Sequence, residues 1–161
     1  MLICLININL FSQTLDTNYK IDKLGGVAKN VQIKYDVPTL MSEISNNLLI
    51  SSINSKLGKP YKWGSIGPNS YDCSGFVWKV FSENNIKFTR STAREYWRKF
   101  KPVIENDRFK IGTLVFFSNL KHVGIVLDDK GFYHASKSKG ITYSKFNKYW
   151  ISRIVGFRKI N

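Results

Sequence analysis

A short polar stretch that runs directly into an apolar helix pattern constrains this chain more than any other feature. The stretch is Tyr71 to Gly75, and the residues that follow are apolar at positions 76, 77, 80 and 81. This is the spacing of a helix that buries one face, so a helix is predicted to begin at or just before Cys73. Unpaired backbone N–H groups and the helix dipole stabilise a thiolate at such an N-terminus. Cys73 is therefore a candidate nucleophile.

The usual fate of a free Cys is to be an inert, buried, small apolar residue. That interpretation does not account for the neighbours of Cys73. Asp72 and Ser74 supply polar groups beside the sulfur, and Gly75 leaves room for a close backbone approach. We therefore favour the nucleophile interpretation.

A Cys nucleophile needs a base, and the chain contains 2 His in all, His122 and His134. Both fall in a region whose pattern predicts strands over 114–117, 122–127 and 132–135, with a turn at 128–131. The two His are 134 − 122 = 12 residues apart. An odd-length turn would put both side chains on one face of the sheet, although the sequence leaves the register open. The arrangement required is Cys73, a His that takes its proton, and a third polar group that orients the imidazole.

Together these segments resemble the NlpC (p-sixty) family of bacterial cell-wall cysteine peptidases. The residues that carry the resemblance, in the family's order and spacing, are Asp72-Cys73-Ser74-Gly75, Leu114 to Phe117, His122 to Ile125 and Phe132 to Ser136. It covers roughly residues 53–160, the size of one small domain. The chain departs from the family at Gly112-Thr113, Gly64-Ser65 and Thr89, none of which belongs to the predicted catalytic set.

The resemblance implies an α+β, papain-like fold, in which N-terminal helices carrying the Cys pack on an antiparallel β-sheet carrying the His residues. Family members cut the stem peptides of peptidoglycan near D-glutamate or diaminopimelate. By this resemblance Cys73 is the nucleophile, His122 is the base and His134 orients it, while the Tyr61 hydroxyl helps to hold the oxyanion. We expect no cofactor and no metal.

The resemblance also implies a subsite for the stem peptide and its free amine, lined by Asp72, Ser74 and Ser91. Arg90 either pairs with a substrate carboxylate or forms a structural fork with a nearby Asp or Glu. Trp63 is near enough to Tyr61 in the sequence to line the cleft. The other Trp residues, at 78, 97 and 150, are predicted to be packing residues.

Two other functions stay open at this point. A papain-like acyltransferase, or a lipid or amide hydrolase, would keep the fold and change the chemistry, and it would show an apolar cleft. A catalytically silent wall-binding module would keep the fold and lose turnover. The sequence also does not separate a wall-remodelling enzyme from a toxin or a phage lysin.

The chain divides into three predicted parts. Residues 1–13 form an apolar run and a possible signal or leader segment, which lacks a basic start and a small-x-small cleavage site. Residues 14–38 are a predicted linker or N-terminal arm, and 39–161 are the predicted NlpC-type catalytic domain. Apolar residues at 41, 44, 48, 49 and 53 predict a helix from Thr39 that packs on the core.

The net charge of +14, from 25 basic and 11 acidic residues, predicts attraction to polyanions. The sequence has no helix-turn-helix, zinc-finger or RNA-binding aromatic signature, so an anionic envelope polymer is a better expected partner than nucleic acid. We expect a monomer with no stable membrane span. Its expected location is extracytoplasmic, in the periplasm, in the cell wall or secreted.

Overall fold

The computed structural model describes residues 36–160. The predicted leader and most of the predicted arm lie outside the described residues. The described residues before Glu43 are Asp36 and the start of helix α1 (Val37–Asn54). Here Thr39 Oγ1 donates to Asp36 Oδ2 at 2.6 Å. The helix thus begins two residues before its predicted start. A compact unit begins at Glu43 and contains all the strands found among residues 36–160.

Two further helices begin where side chains cap them. Helix α2 (Cys73–Glu83) begins at Cys73, as predicted, because the Asp72 carboxylate accepts from the Gly75 N–H at 2.6 Å. Helix α3 (Ala93–Lys99) begins after Thr92, whose Oγ1 accepts from the Glu95 N–H at 3.3 Å. The capping pattern in the sequence predicted this second start.

Six antiparallel strands form one sheet in the order β1-β6-β2-β3-β4-β5. The strands are β1 (Lys101–Val103), β2 (Leu114–Phe117), β3 (His122–Val126), β4 (Gly131–Ser136), β5 (Gly140–Lys145) and β6 (Ile154–Lys159). Helices packed on an antiparallel sheet confirm the predicted α+β, papain-like class. Three short elements were not predicted from the sequence: β1, a 3₁₀ turn (Glu105–Phe109) and helix α4 (Lys148–Ile151).

Both faces of the sheet are covered by apolar side chains, which explains why β2 is apolar at every position. All four residues of β2 are buried. On one face, Leu114, Phe116, Val123 and Ile125 pack in a core with Phe76, Val77 and Val80 of α2. On the other face, a second cluster contains Val115, Phe117, Val126, Phe132 and Phe157, with Trp150 packed against it.

Only part of the apolar pattern in α1 packs on the core. Leu49 and Ile53 are buried, whereas Met41, Ile44 and Leu48 are exposed, so the prediction was wrong for those three residues. At 100° per residue the exposed stripe is rotated by roughly 120° from the buried one, so a single surface cannot cover both. No helix among residues 36–160 is both long enough and apolar enough to cross a membrane.

A buried lysine ties the chain after α1 to the end of α2. The Lys56 side chain is 4% exposed, and its Nζ donates to the Ser52 carbonyl at 2.9 Å and pairs with Glu83 Oε2. Glu83 also pairs with Lys79, one turn earlier in α2, at 3.5 Å. A buried ammonium is costly without a counter-charge, so Glu83 is what allows Lys56 to be buried.

We therefore expect Glu83→Gln to destabilise the fold more than Lys56→Met does. The first change leaves Lys56 buried without a counter-charge and should cost about 2 kcal/mol, less than for a fully buried pair because Glu83 is partly exposed. The second removes the buried charge itself. Urea unfolding would measure both. Lys79→Gln breaks only an exposed pair and is the matched control, with an expected change under about 0.5 kcal/mol. Equal losses in all three variants would contradict this account.

Candidate active site

The buried carboxylate of Asp72 joins three segments of the chain at the start of α2. Asp72 is 4% exposed, and its two oxygens accept from four donors. Oδ1 accepts from the Gly75 N–H at 2.6 Å and from Ser74 Oγ at 3.1 Å. Oδ2 accepts from the Gly64 N–H at 2.9 Å and from Arg90 Nη2 at 2.7 Å. These four donors satisfy the carboxylate without water.

Arg90 adopts the structural fork, one of the two alternatives left open by the sequence. Its Nη2 pairs with Asp72, while Nη1 donates to Ser74 Oγ at 3.0 Å and to the Ser91 carbonyl. The Ser91 N–H in turn donates to the Tyr96 hydroxyl at 3.1 Å. The fork therefore fixes the loop that carries Ser91 against the start of α2.

Gly75 is required by a close approach, as the sequence suggested. A Cβ at this position would overlap the carbonyl oxygen of Ser65. Ser65 belongs to the loop between Tyr61 and Tyr71, and its carbonyl accepts from the Asp72 N–H at 2.9 Å. The absence of a side chain at Gly75 therefore lets this loop lie directly on the first turn of α2.

Cys73 is a free thiol, 7% exposed, at the first position of α2. Backbone N–H groups of Cys73, Ser74 and Val123 interact with the sulfur and lower its pKa, as a helix N-terminus should. Burial, followed by the neighbouring Asp72 charge, raises the pKa more, so the net pKa lies above its ordinary value. The backbone N–H groups at the helix start thus favour the thiolate, as predicted, but burial and the Asp72 charge outweigh them.

Tyr61 and the start of β3, which carries His122, lie close to this sulfur. Val123 directly follows His122, so its contact with the sulfur brings the start of β3 beside the start of α2. Burial and the nearby charges of Cys73 and Asp72 raise the pKa of the Tyr61 hydroxyl, which keeps it protonated. Tyr61 is thus a neighbour of Cys73, and His122 directly precedes another neighbour, Val123.

Trp63 lies at the tip of a tight turn in the same loop. The Ser65 N–H donates to the Lys62 carbonyl at 3.1 Å, and Gly64 takes the positive φ of 74° that this turn requires. Because Asp72 accepts from the Gly64 N–H, the turn is anchored at the start of α2. The indole itself is 81% exposed.

His122 and His134 are hydrogen-bonded to each other. His122 Nε2 lies 2.9 Å from His134 Nδ1. Val126 and Phe132 are paired across the β3–β4 turn, so the five residues 127–131 separate them. This is the odd-length turn that the sequence left open, and it puts both His on one face of the sheet.

An aromatic wall encloses the His pair. The Trp150 ring stacks on His122, with centroids 5.9 Å apart, and meets His134 edge-on at 4.9 Å. Phe117 lies 6.0 Å from His122, and Phe132 lies 5.1 Å from His134. Trp150 is thus a packing residue, as predicted, but what it packs on is the His pair. No pattern in the sequence indicates this contact, because Trp150 lies on the short, unpredicted helix α4.

The enclosure keeps both imidazoles neutral. Burial, helped by the charge of Lys137, lowers the pKa of His122 to about 4 from its ordinary 6.5. Burial, followed by the charges of His122 and Lys139, lowers the pKa of His134 to about 3. An imidazole that is neutral at pH 7 can accept a proton, so both pKa shifts suit a base and its partner.

Ser144 is the third member of a row of hydrogen-bonded groups, His122–His134–Ser144, and sequence reasoning missed it. Its Oγ lies 2.9 Å from His134 Nε2. In the β4–β5 hairpin His134 is directly opposite Thr142, and Ser144 is two residues further on the same face. A hairpin loop at 137–139 predicts that pairing, so Thr142 and Ser144 could both have been named as neighbours of His134.

Three consecutive residues with positive φ lead into β3. Ser118, Asn119 and Leu120 have φ of 51°, 55° and 66°, and the Lys121 N–H closes the turn on the Ser118 carbonyl at 3.2 Å. Such a conformation costs about 1 kcal/mol or more per non-Gly residue. The Ser118 N–H donates to the Arg153 carbonyl at 3.0 Å, and the Leu120 side chain packs on the core. These contacts hold a strained turn immediately before His122.

We expect the free energy of unfolding to fall as the pH is lowered from about 6.5 towards 4. The folded state holds both His neutral in this range, while the unfolded chain binds protons at the ordinary pKa of 6.5. Each His should contribute a slope of up to about 1.4 kcal/mol per pH unit. Urea unfolding at several pH values between about 7 and 5 would measure it. The His122→Asn, His134→Asn double variant should lose most of the slope, and a wild-type stability that is constant over this range would refute the account.

The NlpC/P60 family model matches residues 58–159, which is 102 of the 161 residues. This chain belongs to the NlpC/P60 family. The probable peptidoglycan endopeptidase LytE of Bacillus subtilis is 34% identical over 116 residues, 69% of this chain and 33% of that protein. A probable endopeptidase NlpC homolog of Haemophilus influenzae is 34% identical over 119 residues, 73% of this chain and 64% of that protein. The chain thus spans less than two thirds of the length of either relative.

Solved NlpC/P60 structures share the fold. A lipoprotein-like NLP/P60 protein of Staphylococcus aureus superposes with a TM-score of 0.65 at 26% identity, over 73% of this chain and 42% of that one. The peptidoglycan hydrolase RipB of Mycobacterium tuberculosis superposes with a TM-score of 0.61 at 24% identity, over 76% and 68%. The resemblance to the NlpC family seen in the sequence is therefore confirmed.

Among residues 36–160 no three His, Cys, Asp or Glu side chains gather where they could hold a metal ion.

Proposed function

We propose that this protein is a cysteine endopeptidase that hydrolyses amide bonds in the stem peptides of peptidoglycan, near D-glutamate or diaminopimelate. Membership of the NlpC/P60 family supports this proposal, as do relatives that are named probable endopeptidases. The observation that carries it is a hydrogen-bonded His pair, one member of which directly precedes Val123, the residue whose backbone N–H contacts the sulfur of a buried Cys at a helix start. Cys73 is the nucleophile, His122 is the base and His134 orients the base.

Proton removal from Cys73 is the first step of the proposed mechanism. His122 Nε2 is engaged by His134, so Nδ1 is the ring nitrogen left to take the thiol proton. Burial and the Asp72 charge keep the thiol protonated at rest, so the proton leaves as the sulfur attacks. The attack forms a bond from the sulfur to the amide carbon and pushes the π electrons onto the carbonyl oxygen.

The oxyanion then needs donors close to the sulfur. The backbone N–H groups at the start of α2 already interact with the sulfur, and the Tyr61 hydroxyl, which is protonated, lies near Cys73. His122 returns the proton to the leaving amine as the C–N bond breaks, which leaves an acyl-enzyme. Water, deprotonated by His122, attacks the thioester and releases the acid and the thiol.

The residues proposed to contact the stem peptide surround the start of α2. Ser74 and Ser91 line the subsite for its free amine, and Trp63 offers an exposed ring at the edge of the cleft. Asp72 contributes negative potential to this subsite. Its oxygens are already occupied, so its charge acts through space while Arg90 holds the carboxylate in place.

The proposed setting follows from the substrate. Peptidoglycan lies outside the cytoplasmic membrane, so we place the protein in the periplasm, in the cell wall or in the medium. The net charge of +14 favours contact with polyanions, and the proposed setting makes anionic envelope polymers a better partner than nucleic acid. We treat the protein as a monomer. Residues 39–161 constitute the catalytic domain in this proposal.

Mass spectrometry of purified muropeptides would test the proposed reaction. Wild type should release fragments whose masses identify the bond, whereas Cys73→Ala and His122→Ala should release none because the nucleophile or its base is missing. His134→Asn should keep part of the activity, since an amide can still orient His122. Ser138→Ala, on the exposed loop between β4 and β5, is a control that should behave as wild type.

Each failure of this experiment has a distinct meaning. Full activity of Cys73→Ala would end the proposal that Cys73 is the nucleophile. If wild type releases nothing while a thiol-directed probe still labels Cys73, the substrate assignment is wrong, and acyl transfer or lipid hydrolysis becomes the leading function. Wall binding with neither cleavage nor labelling would identify a silent binding module.

Tyr61→Phe should lower kcat roughly tenfold with little change in KM, because it removes one oxyanion donor. Its rate of thiol alkylation should stay near the wild-type rate, since alkylation forms no oxyanion. Steady-state cleavage of a muropeptide, beside alkylation by iodoacetamide, would measure both effects. Tyr143→Phe, on β5, is the matched loss of a hydroxyl and should change neither rate. An unchanged kcat for Tyr61→Phe would remove Tyr61 from the mechanism.

A further inference from the structure

The second ring nitrogen of His134 has a partner of its own. His134 is 2% exposed, and its Nε2 lies 2.9 Å from Ser144 Oγ. In the part of the chain that the structure describes, this hydroxyl is the sole hydrogen-bond partner of Nε2. A buried N–H without an acceptor is costly, so the hydroxyl matters to whichever form of His134 is present.

Ser144 is held by the sheet rather than by a loop. It lies within β5 and is paired with Phe132 of β4, so it shares a face with His134. Trp150 and Phe132 pack against the same imidazole and keep water away from it. The hydroxyl is therefore fixed in place, and solvent cannot easily substitute for it.

The protonation of the whole row is coupled, because a neutral imidazole has one donor and one acceptor nitrogen. If His122 Nε2 donates to His134 Nδ1, the proton of His134 must be on Nε2, and Ser144 must accept it. If Ser144 donates instead, the row reverses and the proton of His122 moves to Nδ1. His122 then has no free lone pair for the Cys73 proton, so only the first arrangement is productive.

Taking up the Cys73 proton selects this productive arrangement. His122 then carries protons on both nitrogens, so its Nε2 can only donate to His134. His134 must accept at Nδ1 and keep its own proton on Nε2. The last acceptor in the row is then Ser144 Oγ, 2.9 Å away.

We infer that Ser144 is a positioning residue of this active site: its hydroxyl accepts the Nε2 proton of His134 and so keeps His134 Nδ1 available as the acceptor for His122. The inference rests on the proposed roles of Cys73, His122 and His134. Ser144 itself touches no reacting atom, and no proton leaves it during the reaction. Its hydroxyl makes it easier for His122 to carry a proton on both ring nitrogens.

Alkylation of Cys73 by iodoacetamide across a range of pH tests the inference without any wall substrate. The chain has 2 Cys, so peptide mass spectrometry would follow the modification of Cys73 alone. Ser144→Thr keeps the hydroxyl. Ser144→Val has nearly the same shape as Ser144→Thr but no hydroxyl. Ser144→Val should react about five- to tenfold more slowly near pH 7, with its rise in rate moved to higher pH. Ser144→Thr should stay close to wild type.

Several outcomes would overturn the inference. Equal slowing in Ser144→Thr and Ser144→Val would show that shape, not the hydroxyl, is what matters. A Ser144→Val profile that coincides with wild type would show that the hydroxyl does nothing. If either variant unfolds, Ser144→Ala gives the same comparison with a smaller side chain. Nitrogen-15 NMR of the His134 ring should also show the Nε2-protonated form in wild type and Ser144→Thr, and a loss of it in Ser144→Val.

The same data separate this inference from the proposed function. Alkylation that depends on both His122 and Ser144, together with intact muropeptides, would keep the positioning role and refute the peptidase substrate. Cleavage of muropeptides at the wild-type rate by Ser144→Val would keep the peptidase substrate and refute the positioning role of Ser144.

Discussion

The carboxylate of Asp72 is the group on which the rest of the site depends. It caps α2, and so fixes where Cys73 stands, while its second oxygen binds the Gly64 turn and Arg90. Three segments that are distant in the sequence are therefore joined through one buried charge. Such a group is stable only when every lone pair has a donor, which is why Gly75, Ser74 and Arg90 form one constellation.

The same charge has a chemical consequence for the sulfur beside it. Burial and the Asp72 carboxylate together raise the pKa of Cys73, even though three backbone N–H groups act in the opposite direction. The aromatic wall lowers the pKa values of both His residues. The proposed nucleophile and the proposed base are thus both neutral at rest. A site of this kind favours proton transfer during attack over a thiolate and imidazolium that exist beforehand.

On the face of the sheet that carries the second apolar cluster, the same residues take part in packing and surround the groups of the proposed chemistry. Trp150 belongs to the second apolar cluster, and its ring also closes off both imidazoles. Ser144, near the end of β5, supplies the polar group at the end of the row. The strained turn at 118–120 leads directly into His122 at the start of β3, an interior strand of the sheet. Contacts distant in the sequence stabilise the turn, whereas α4 is too short to show a helical apolar period and its local signal is the capping residue Asn147.

The sequence by itself determined the elements and the chemical types at the site. Apolar spacing predicted α2 and the strands β2, β3 and β4, the capping pattern predicted the start of α3, and the composition left only His122 and His134 as candidate bases. The tertiary structure alone decided the register that pairs the two His, the engagement of Arg90 by Asp72, the enclosure by Trp150 and the contact with Ser144. It also decided the direction of the Cys73 pKa shift. The physical reason is that local patterns fix hydrogen bonds within an element, whereas burial and charge depend on which elements come together.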